Sequence, residues 1–471
     1  MKIPDYFEEE LYGHEQEPKE LRNLALMTEG EQHHGQARMA YRLAATHTEK
    51  LMFVRGLGWH IWDGTRWAPD EKDEATTAVL ATLRDALADS LHDKELRAGV
   101  VRCESANGIA GVLDIAKAIP ELRASSQELD ADPYLLNCAN GTLDLRTRRL
   151  RPHDPADRIT RVCTGAYDPT MGQDTWTKFL EQVLPDDDER SYLQRVIGQA
   201  VFGAVREHLF PVLTGEGANG KGTAYGAITY AMGDYATIID PSLLMAKQHG
   251  AGGPEMMQLF GARLVIGSET EEGKQLDAPL MKRLTGGDAI TARHLYQPPV
   301  TWEPTHQIVY VTNHLPQVKG NDPAVWRRVR VLPFDVVVPE EHRDKELPET
   351  LKLHADAILT WAVQGWFDYQ DEGGMREPER VQQATDAYQS DSDAVKRFIQ
   401  ERCLTNPHFN VRARELYQEW CTWALQDGAE KLSEKRFAGE MDRLGFGSEK
   451  TRTGKFWQGL ALPAEADGES L

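Results

Sequence analysis

The segment that most constrains this chain is a glycine-rich stretch between an apolar run and a helix-forming run. Residues Phe210–Thr223 read FPVLTGEGANGKGT, which gives the order strand, G-x-x-x-x-G-K, helix. This order is typical of a phosphate-binding loop. Glycines let backbone N–H groups point inward, and the N-terminus of the following helix adds partial positive charge. The alternative is an ordinary glycine-rich turn between a strand and a helix.

The loop predicts which residues would contact a nucleotide. Lys221 is placed to reach the β- and γ-phosphates, and the residue after it is Gly222, where a serine or threonine usually holds Mg²⁺. We therefore expect Thr223 or water to supply that oxygen. The predicted nucleotide contacts are Gly215, Gly217, Asn219, Gly220, Lys221, Gly222 and Thr223.

Polar residues follow later apolar runs at positions that suit phosphoryl transfer. Glu269 ends one apolar run and is followed by Glu271 and Glu272, one of which could share its work. Asn313 ends another apolar run, and Arg327 and Arg328 precede a third. An acid, an amide and guanidinium groups are the side chains that hold Mg²⁺, orient water and neutralise phosphate charge. Each residue alone has an ordinary explanation, as a strand end, a turn residue or a surface pair. Their order after one phosphate loop is the stronger signal.

Composition limits the other function classes. The net charge of −21 argues against a protein that coats nucleic acid by bulk electrostatics, but a local basic lining stays compatible with it. The five cysteines contain no C-x-x-C pair, which favours reduced cysteines in a cytoplasmic protein. The sequence has no apolar run of membrane-spanning length and no signal-peptide core.

The segments around the loop have recognisable patterns. A hairpin is predicted over residues 51–67 with its turn at Asp63-Gly64, two or three helices over 73–123, and a strand pair turning at Asn140-Gly141. Helices separated by Pro185 are predicted over 174–205, and a further helix over 349–369. The tryptophans of the first hairpin are expected to pack in a core, although stacking on bases is the alternative.

The C-terminal part has the order of a winged helix. Residues 391–462 predict a helix, a turn from Cys403 to Asn410, two more helices and a strand pair. The third helix carries Lys431, Lys435, Arg436 and Arg443, and the strand pair carries Lys450, Arg452 and Lys455. Binding of duplex DNA and binding of a protein are both open.

The region from Phe210 to Phe334 resembles the superfamily 3 helicases, in particular the poxvirus-type and phage or plasmid primase–helicases. The resemblance is carried by the phosphate loop and by motifs at 268–274, 282–288 with Arg293, 312–316, 326–328 and 333–334. Residues 35–165 also resemble the module that precedes the ATPase in this branch.

The resemblance implies an AAA+ fold and a hexameric ring that binds ATP and Mg²⁺ between subunits and travels on single-stranded DNA. Lys221 would be the phosphate lysine, Glu269 the Walker B acid and a metal ligand with Thr223, and Asn313 the sensor. Arg328 would be the finger given to the next subunit, with Arg327 as the alternative. The segment 282–299 would form a pore hairpin, whose DNA-binding residues would be Lys282, Arg293, His294 and Tyr296.

The predicted fold class is α/β, an AAA+ P-loop ATPase core with an N-terminal α+β module and a C-terminal winged-helix-like domain. The predicted units are an acidic arm (1–34), the N-terminal module (35–173), a helical linker or collar (174–205), the ATPase domain with its helical lid (206–375), the winged-helix-like domain (391–462) and an acidic tail (463–471).

We therefore expect a replicative DNA helicase of a phage, plasmid or related mobile element, in a bacterial cytoplasm. Its partners would be single-stranded DNA and forked duplex, other copies of itself and a separate primase or origin-binding protein, with no membrane. Two alternatives stay open: an ATP-dependent initiator or regulator that assembles on DNA without processive unwinding, and an interaction protein with a vestigial nucleotide fold. The polymerase-type primase domain of longer relatives is absent from the sequence, so primer synthesis is not expected.

Overall fold

The structure of the protein is a computed structural model that describes residues 19–246, 254–268, 274–318, 322–429, 431–452 and 454–463. Residues 1–18 of the predicted arm and 464–471 of the predicted tail lie outside the described residues. The remainder of the arm contains a helix that packs on the next helix of the chain. Within the described residues, no helix is both long and apolar enough to cross a bilayer.

The N-terminal part combines a helical cluster with a small sheet. Its strands lie in the order β3-β2-β1-β4, and the predicted turn at Asp63-Gly64 joins β2 to β3. The Asp63 carboxylate accepts the backbone N–H groups of Thr65 and Arg66 at 2.8 and 2.9 Å, which fixes this turn. Trp67 is buried, as expected for a packing residue. The elements are α1 (Lys19–Gly30), α2 (Gly35–His47), β1 (Leu51–Val54), β2 (Gly58–Trp62), β3 (Trp67–Pro69), α3 (Glu74–Asp89), α4 (Lys94–Cys103), α5 (Ala106–Ala116) and β4 (Arg123–Ala124).

A three-stranded sheet and two helices lead to the centre of the molecule. The turn at Asn140-Gly141 and the break at Pro185 are confirmed. The apolar side chains of this region share one core with the central sheet, so they pack as part of the central unit. The elements are β5 (Leu135–Cys138), β6 (Gly141–Asp144), β7 (Arg149–Arg151), α6 (Asp174–Val183) and α7 (Asp187–Val201).

The central unit is built on five parallel strands in the order β14-β8-β13-β10-β9. The strands are short and mostly buried on both faces, as parallel sheets require. A two-stranded antiparallel hairpin, β11–β12, stands beside the sheet. The elements are β8 (Phe210–Thr214), α8 (Lys221–Met232), β9 (Ala236–Ile239), β10 (Leu264–Ser268), α9 (Ala278–Leu284), β11 (Ile290–Ala292), β12 (Val300–Trp302), β13 (Gln307–Thr312), α10 (Pro323–Trp326) and β14 (Val329–Pro333).

Helices cover both faces of this sheet. Helices α7 and α8, with α11 (Leu347–Leu353) and α12 (Ala355–Glu372), cover one face, while α9, α10 and α13 (Glu379–Ser392) pack on the other. Helices α7 and α12 touch backbone to backbone: a Cβ added to Gly198 would lie 2.3 Å from the Gly365 carbonyl carbon. The predicted helix over 349–369 is divided in the structure into two helices, α11 and α12, which pack against the core.

The C-terminal part follows the order helix, strand, two helices and two strands. Its sheet has the order β15-β17-β16 around a small apolar core. The turn predicted from Cys403 to Asn410 is wrong, because these residues belong mostly to β15, a nearly fully exposed strand that pairs with β17. The elements are α14 (Ala394–Arg402), β15 (Leu404–Arg412), α15 (Ala413–Asp427), α16 (Glu434–Arg443), β16 (Ser448–Thr451) and β17 (Gly454–Ala461).

Candidate nucleotide-binding site

The turn from β8 to α8 has the backbone of a tight cradle. Gly215 has φ +150°, and a Cβ there would lie 2.2 Å from the carbonyl oxygen of Phe334. Ala218 and Gly220 also have positive φ, at +62° and +81°. A side chain at Gly215 would meet protein backbone, whereas one at Gly217 would meet no atom within 4 Å. The first glycine is thus required by close packing, and the second faces open space.

The segment after β14 holds the loop in place. The Asn219 side chain donates from Nδ2 to the Phe334 carbonyl at 2.9 Å, and the Val338 N–H donates to the Ala218 carbonyl at 2.9 Å. Asn219 is 3% exposed, so its side chain braces the loop from inside the protein. The sequence predicts Asn219 as a nucleotide contact and misses Phe334 and Val338 as supports of the loop, because these bonds join residues over 100 positions apart in the chain.

Lys221 opens helix α8 and is 5% exposed. Its ammonium donates to the carbonyl oxygens of Gly215 at 2.5 Å and Glu216 at 3.4 Å. These contacts place the positive charge within the curve of the loop, beside the helix N-terminus. A phosphate group that entered the cradle would meet this charge together with the partial positive charge of the helix N-terminus. The loop therefore fits the polyphosphate of a nucleotide.

The two residues after Lys221 determine whether a hydroxyl group is available to hold Mg²⁺. Gly222 is exposed, and a Cβ there would lie 4.0 Å from the nearest atom, on Tyr225, so packing does not require glycine at this position. Thr223, the residue after Gly222, is half-buried and carries a hydroxyl group. No group of three or more His, Cys, Asp or Glu residues in the described segments is arranged to hold a metal ion. Glu269, with its two neighbouring acids, lies outside the described residues.

The carboxyl ends of the neighbouring strands lie at the same edge as the loop. In the parallel register Thr312 pairs with Thr214, and Val311 pairs with Ser268. Asn313 follows directly and is exposed, beyond a turn that the Thr312 hydroxyl stabilises by donating to the His314 carbonyl at 2.7 Å. Because ligands of parallel sheets bind at this edge, Asn313 stands where a sensor of the bound phosphates would be needed.

The two arginines lie at the opposite edge of the sheet. The Arg328 carbonyl accepts the N–H of Phe210 at 2.7 Å, at the strand end away from the loop. The Arg328 side chain is buried and donates to the Ala324 carbonyl at 2.7 Å, and burial lowers its pKa, with a further lowering by Arg327. Arg327 is exposed. Neither arginine is beside its own loop, and only Arg327 faces outward.

The residues predicted to bind DNA divide into two groups. Arg293, His294 and Tyr296 lie together at the exposed tip between β11 and β12, where Tyr296 has φ +64° and a relative exposure of 102%. Lys282 lies elsewhere, on α9, and its ammonium pairs with the Asp322 carboxylate at 2.7 Å. This hydrogen bond lowers the pKa of Asp322, and the same carboxylate caps α10. Lys282 thus contributes to the fold in this arrangement.

The hairpin has a brace that the sequence does not reveal. Gly56, in the turn between β1 and β2, lies so close that a Cβ there would be 2.8 Å from Val300 Cγ2 and 3.2 Å from the Pro298 carbonyl oxygen. The Phe260 and Trp302 rings meet edge to face with centroids 5.4 Å apart. The N-terminal part therefore supports the hairpin at its base, while the tip stays exposed.

Comparison with known proteins finds one family model and several curated relatives. Residues 40–185 match the family model described as "D5 N terminal like". The chain is 30% identical over 322 residues to "Putative helicase L207/L206" of Acanthamoeba polyphaga mimivirus, covering 63% of this chain and 33% of that protein. It is 27% identical over 325 residues to "Putative primase C962R" of African swine fever virus, covering 63% and 34%. The chain spans about a third of the length of these curated relatives.

A solved structure, "The A form apo structure of NrS-1 C terminal region-CTR", aligns with 64% of this chain and 86% of its own, at 11% identity and a TM-score of 0.38. A superposition this weak bears on neither fold nor function. The sequence relatives are more informative. Through them and the family model, the chain is similar to the D5-type helicase and primase proteins of large DNA viruses.

Proposed function

We propose that this protein is an ATP-dependent DNA helicase that serves the replication of a phage, plasmid or related mobile element. The observation that carries the proposal is the Lys221 ammonium, buried in the curve of a glycine-rich loop at the start of α8. The helicase names of the viral relatives support the same activity. In this proposal Lys221 binds the β- and γ-phosphates of ATP, and Thr223 and Glu269 hold Mg²⁺, which would neutralise phosphate charge.

The proposal includes an AAA+ fold and a ring, most simply a hexamer, with ATP between subunits. The parallel sheet supports it, since the loop and Asn313 share one edge and the arginine pair lies at the other. A five-residue strand is about 13 Å long, so an arginine at the far end cannot reach its own loop directly. Such an arginine would act by contacting the nucleotide bound at the loop of the next subunit.

Within this ring we assign the finger to Arg327. The sequence favours Arg328, but the Arg328 side chain is buried against the Ala324 carbonyl and His208. Arg327 is exposed one residue earlier. A guanidinium that reaches across an interface must first be accessible, and Arg327 meets this condition.

DNA would be held by the tip of the β11–β12 hairpin. Arg293 and His294 offer positive charge or hydrogen bonds to phosphates, and the Tyr296 ring offers a face for base stacking. We retain a winged-helix assignment for the C-terminal part, supported by its order of helices and strands. Its exposed Lys435, Arg436 and Lys450 suit contact with duplex DNA.

The second candidate is an ATP-dependent initiator that assembles on DNA without processive unwinding. Gly222 favours it, because the missing hydroxyl weakens the case for rapid Mg²⁺-dependent turnover. The net charge of −21 favours it too, since a translocating ring needs a sustained grip on a polyanion.

The first experiment measures ATP hydrolysis with and without single-stranded DNA, and displacement of one strand from a forked duplex. We expect DNA-stimulated hydrolysis and displacement, both lost in Lys221→Ala and both kept in Lys117→Ala, which removes a half-buried lysine of the N-terminal part that pairs with Asp114. Hydrolysis without displacement would favour the initiator. Hydrolysis that survives Lys221→Ala would refute the assignment of the nucleotide site.

Mixing of variants tests the shared site. Arg327→Ala and Lys221→Ala should each be inactive alone, yet a mixture should regain activity, because some interfaces then combine an intact Lys221 with an intact Arg327. Arg328→Ala should instead lower thermal stability, since it removes a buried side chain with two contacts. Failure of the mixture to regain activity, with rings still formed, would contradict the finger assignment.

A further inference from the structure

The small sheet formed by β1, β2 and β3 contacts two elements of the proposed motor, one at each end. Its β2–β3 turn contains Arg66, whose Nη1 lies 2.6 Å from the carboxylate of Asp234, two residues after the end of α8. Its β1–β2 turn, at the opposite end of β2, contains Gly56, which packs against Val300 in the β11–β12 hairpin. The sheet therefore bridges the helix that begins at the phosphate loop and the hairpin that would hold DNA.

Further contacts fix the C-terminal end of α8 to the segment before the linker helices. The Asp234 carboxylate accepts the Val162 N–H at 3.2 Å, and the Asp234 N–H donates to the Val162 carbonyl at 3.0 Å. The Gly165 N–H donates to the Ala231 carbonyl at 3.0 Å. Gly233 has φ +55°, and a Cβ there would lie 2.6 Å from the Val162 carbonyl oxygen. The end of α8 therefore cannot shift unless this segment shifts with it.

The charge of Arg66 suits its place at this end of the helix. The carbonyl end of α8 carries partial negative charge, so a carboxylate beside it is unfavourable unless a cation lies close. Arg66 supplies the cation, and its Nη1 also donates to the Thr160 carbonyl at 3.2 Å. The Asp63 carboxylate, which fixes the β2–β3 turn, lies 3.5 Å from Arg66 Nε. The ion pair thus attaches the turn of the small sheet to the end of α8.

The base of the hairpin is attached to the same region by a second set of contacts. Arg161 Nη2 donates to the Phe260 carbonyl at 2.7 Å, and the Phe260 ring packs edge to face on Trp302 of β12. Arg161 directly precedes Val162, which is bonded to the end of α8. The end of the nucleotide-site helix and the support of the hairpin are therefore held by neighbouring residues of one segment.

We infer that the small N-terminal sheet couples the nucleotide site to the DNA hairpin, with Arg66 and Asp234 as positioning residues. The inference rests on the proposed function, since it takes the nucleotide site and the DNA-binding tip from there. Helix α8 has 12 residues and is about 18 Å long, so a displacement of its C-terminal end is carried to Lys221 at the other end. DNA that pulls on the hairpin would displace the sheet, and the ion pair would pass that displacement to α8.

Binding titrations of the full chain measure this coupling. The affinity for a single-stranded oligonucleotide is measured by anisotropy with and without adenylyl imidodiphosphate, an ATP analogue that resists hydrolysis, in the presence of Mg²⁺. The affinity for the analogue is measured by calorimetry with and without the oligonucleotide. We expect each ligand to tighten the binding of the other by the same factor, at least about fivefold, because coupling between two binding sites is reciprocal.

Three variants test the ion pair. Asp234→Asn and Arg66→Gln should lower the factor to about onefold and leave the affinity for each ligand alone unchanged. Asp234→Asn keeps an oxygen that can accept the Val162 N–H, so it removes the charge from a folded protein. Arg66→Lys keeps the charge and should retain most of the coupling. Asp132→Asn is the matched control: it removes a carboxylate from another partly exposed ion pair, with Arg146 at 2.8 Å, and should leave the factor intact.

The possible results separate the inference from the proposed function. A wild-type chain that binds both ligands independently would refute the inference and leave both binding sites standing. Full coupling in Asp234→Asn and Arg66→Gln, or an equal loss in Asp132→Asn, would refute the role of the ion pair. A loss of analogue affinity without DNA in these variants would contradict it too. Failure of the wild-type chain to bind the analogue at all would overturn the proposed function itself.

Discussion

Replacing Gly215 by alanine tests how the phosphate loop is held. The added methyl carbon would lie 2.2 Å from the Phe334 carbonyl oxygen and 2.5 Å from Asn219 Nδ2. Ordinary contact needs a separation of about 3.5 Å, so the loop or the segment after β14 must withdraw by roughly 1 Å. That withdrawal would break the hydrogen bond from Asn219 to Phe334, because both of its atoms border the new methyl group.

The expected cost has two parts. Overpacking of this kind costs about 1–3 kcal/mol, and the lost buried hydrogen bond costs about 1 kcal/mol more. A destabilisation of roughly 2–4 kcal/mol lowers the melting temperature of a unit of this size by roughly 5–10 °C. Affinity for ATP should fall at least about tenfold, since the backbone N–H groups would no longer converge.

Scanning calorimetry and ATP titration measure these two effects. Gly217→Ala is the matched control, because it adds the same methyl group two residues further along, where no atom lies within 4 Å. We expect it to change the free energy of unfolding by less than about 0.5 kcal/mol. Equal melting temperatures for the two variants would refute the claim that the Phe334 carbonyl packs against the loop.

Three further predictions concern the loop, a buried histidine and the hairpin. Gly222→Ser should leave the melting temperature unchanged and raise ATP affinity severalfold only when Mg²⁺ is present; a fall in affinity would contradict the room found there. Burial lowers the pKa of His306 to about 4, below the ordinary 6.5. The free energy of unfolding is therefore highest above pH 6.5, where the imidazole is neutral, and it decreases as the pH falls towards 4, in total by about 3 kcal/mol. His306→Gln should flatten the stability profile in that window, whereas His294→Gln, at the exposed hairpin tip, should not. Tyr296→Ala should weaken binding of single-stranded DNA by about 1–3 kcal/mol, measured by anisotropy, without changing ATP affinity; equal losses of both would contradict its placement.

The sequence predicts the local elements of this protein well. Asp63-Gly64, Asn140-Gly141 and Pro185 each mark a boundary, because turn geometry and the missing N–H of proline act on adjacent residues. The segment from Cys403 to Asn410 is an exception, because it is predicted as a turn and mostly forms a strand. Its side chains are mostly exposed and show no alternation of apolar and polar residues, and it is a strand only because β17 offers a partner some fifty residues later.

The roles of individual side chains are harder to predict. Lys282 has the charge that a DNA contact needs, but its ammonium forms an ion pair with Asp322, which lies 40 positions later in the chain. Arg327 and Arg328 are equivalent in the sequence, and only the packing of β14 decides which one is buried.

The contact of Gly198 with Gly365 has a consequence for other sequences of this kind. With no side chain between α7 and α12, neither position tolerates even a methyl group unless the opposite backbone withdraws. In proteins that keep this helix crossing, the two positions should therefore change together or not at all. Two glycines about this far apart in the chain (167 residues here) would thus indicate the helix crossing in a sequence whose phosphate loop no longer has its motif.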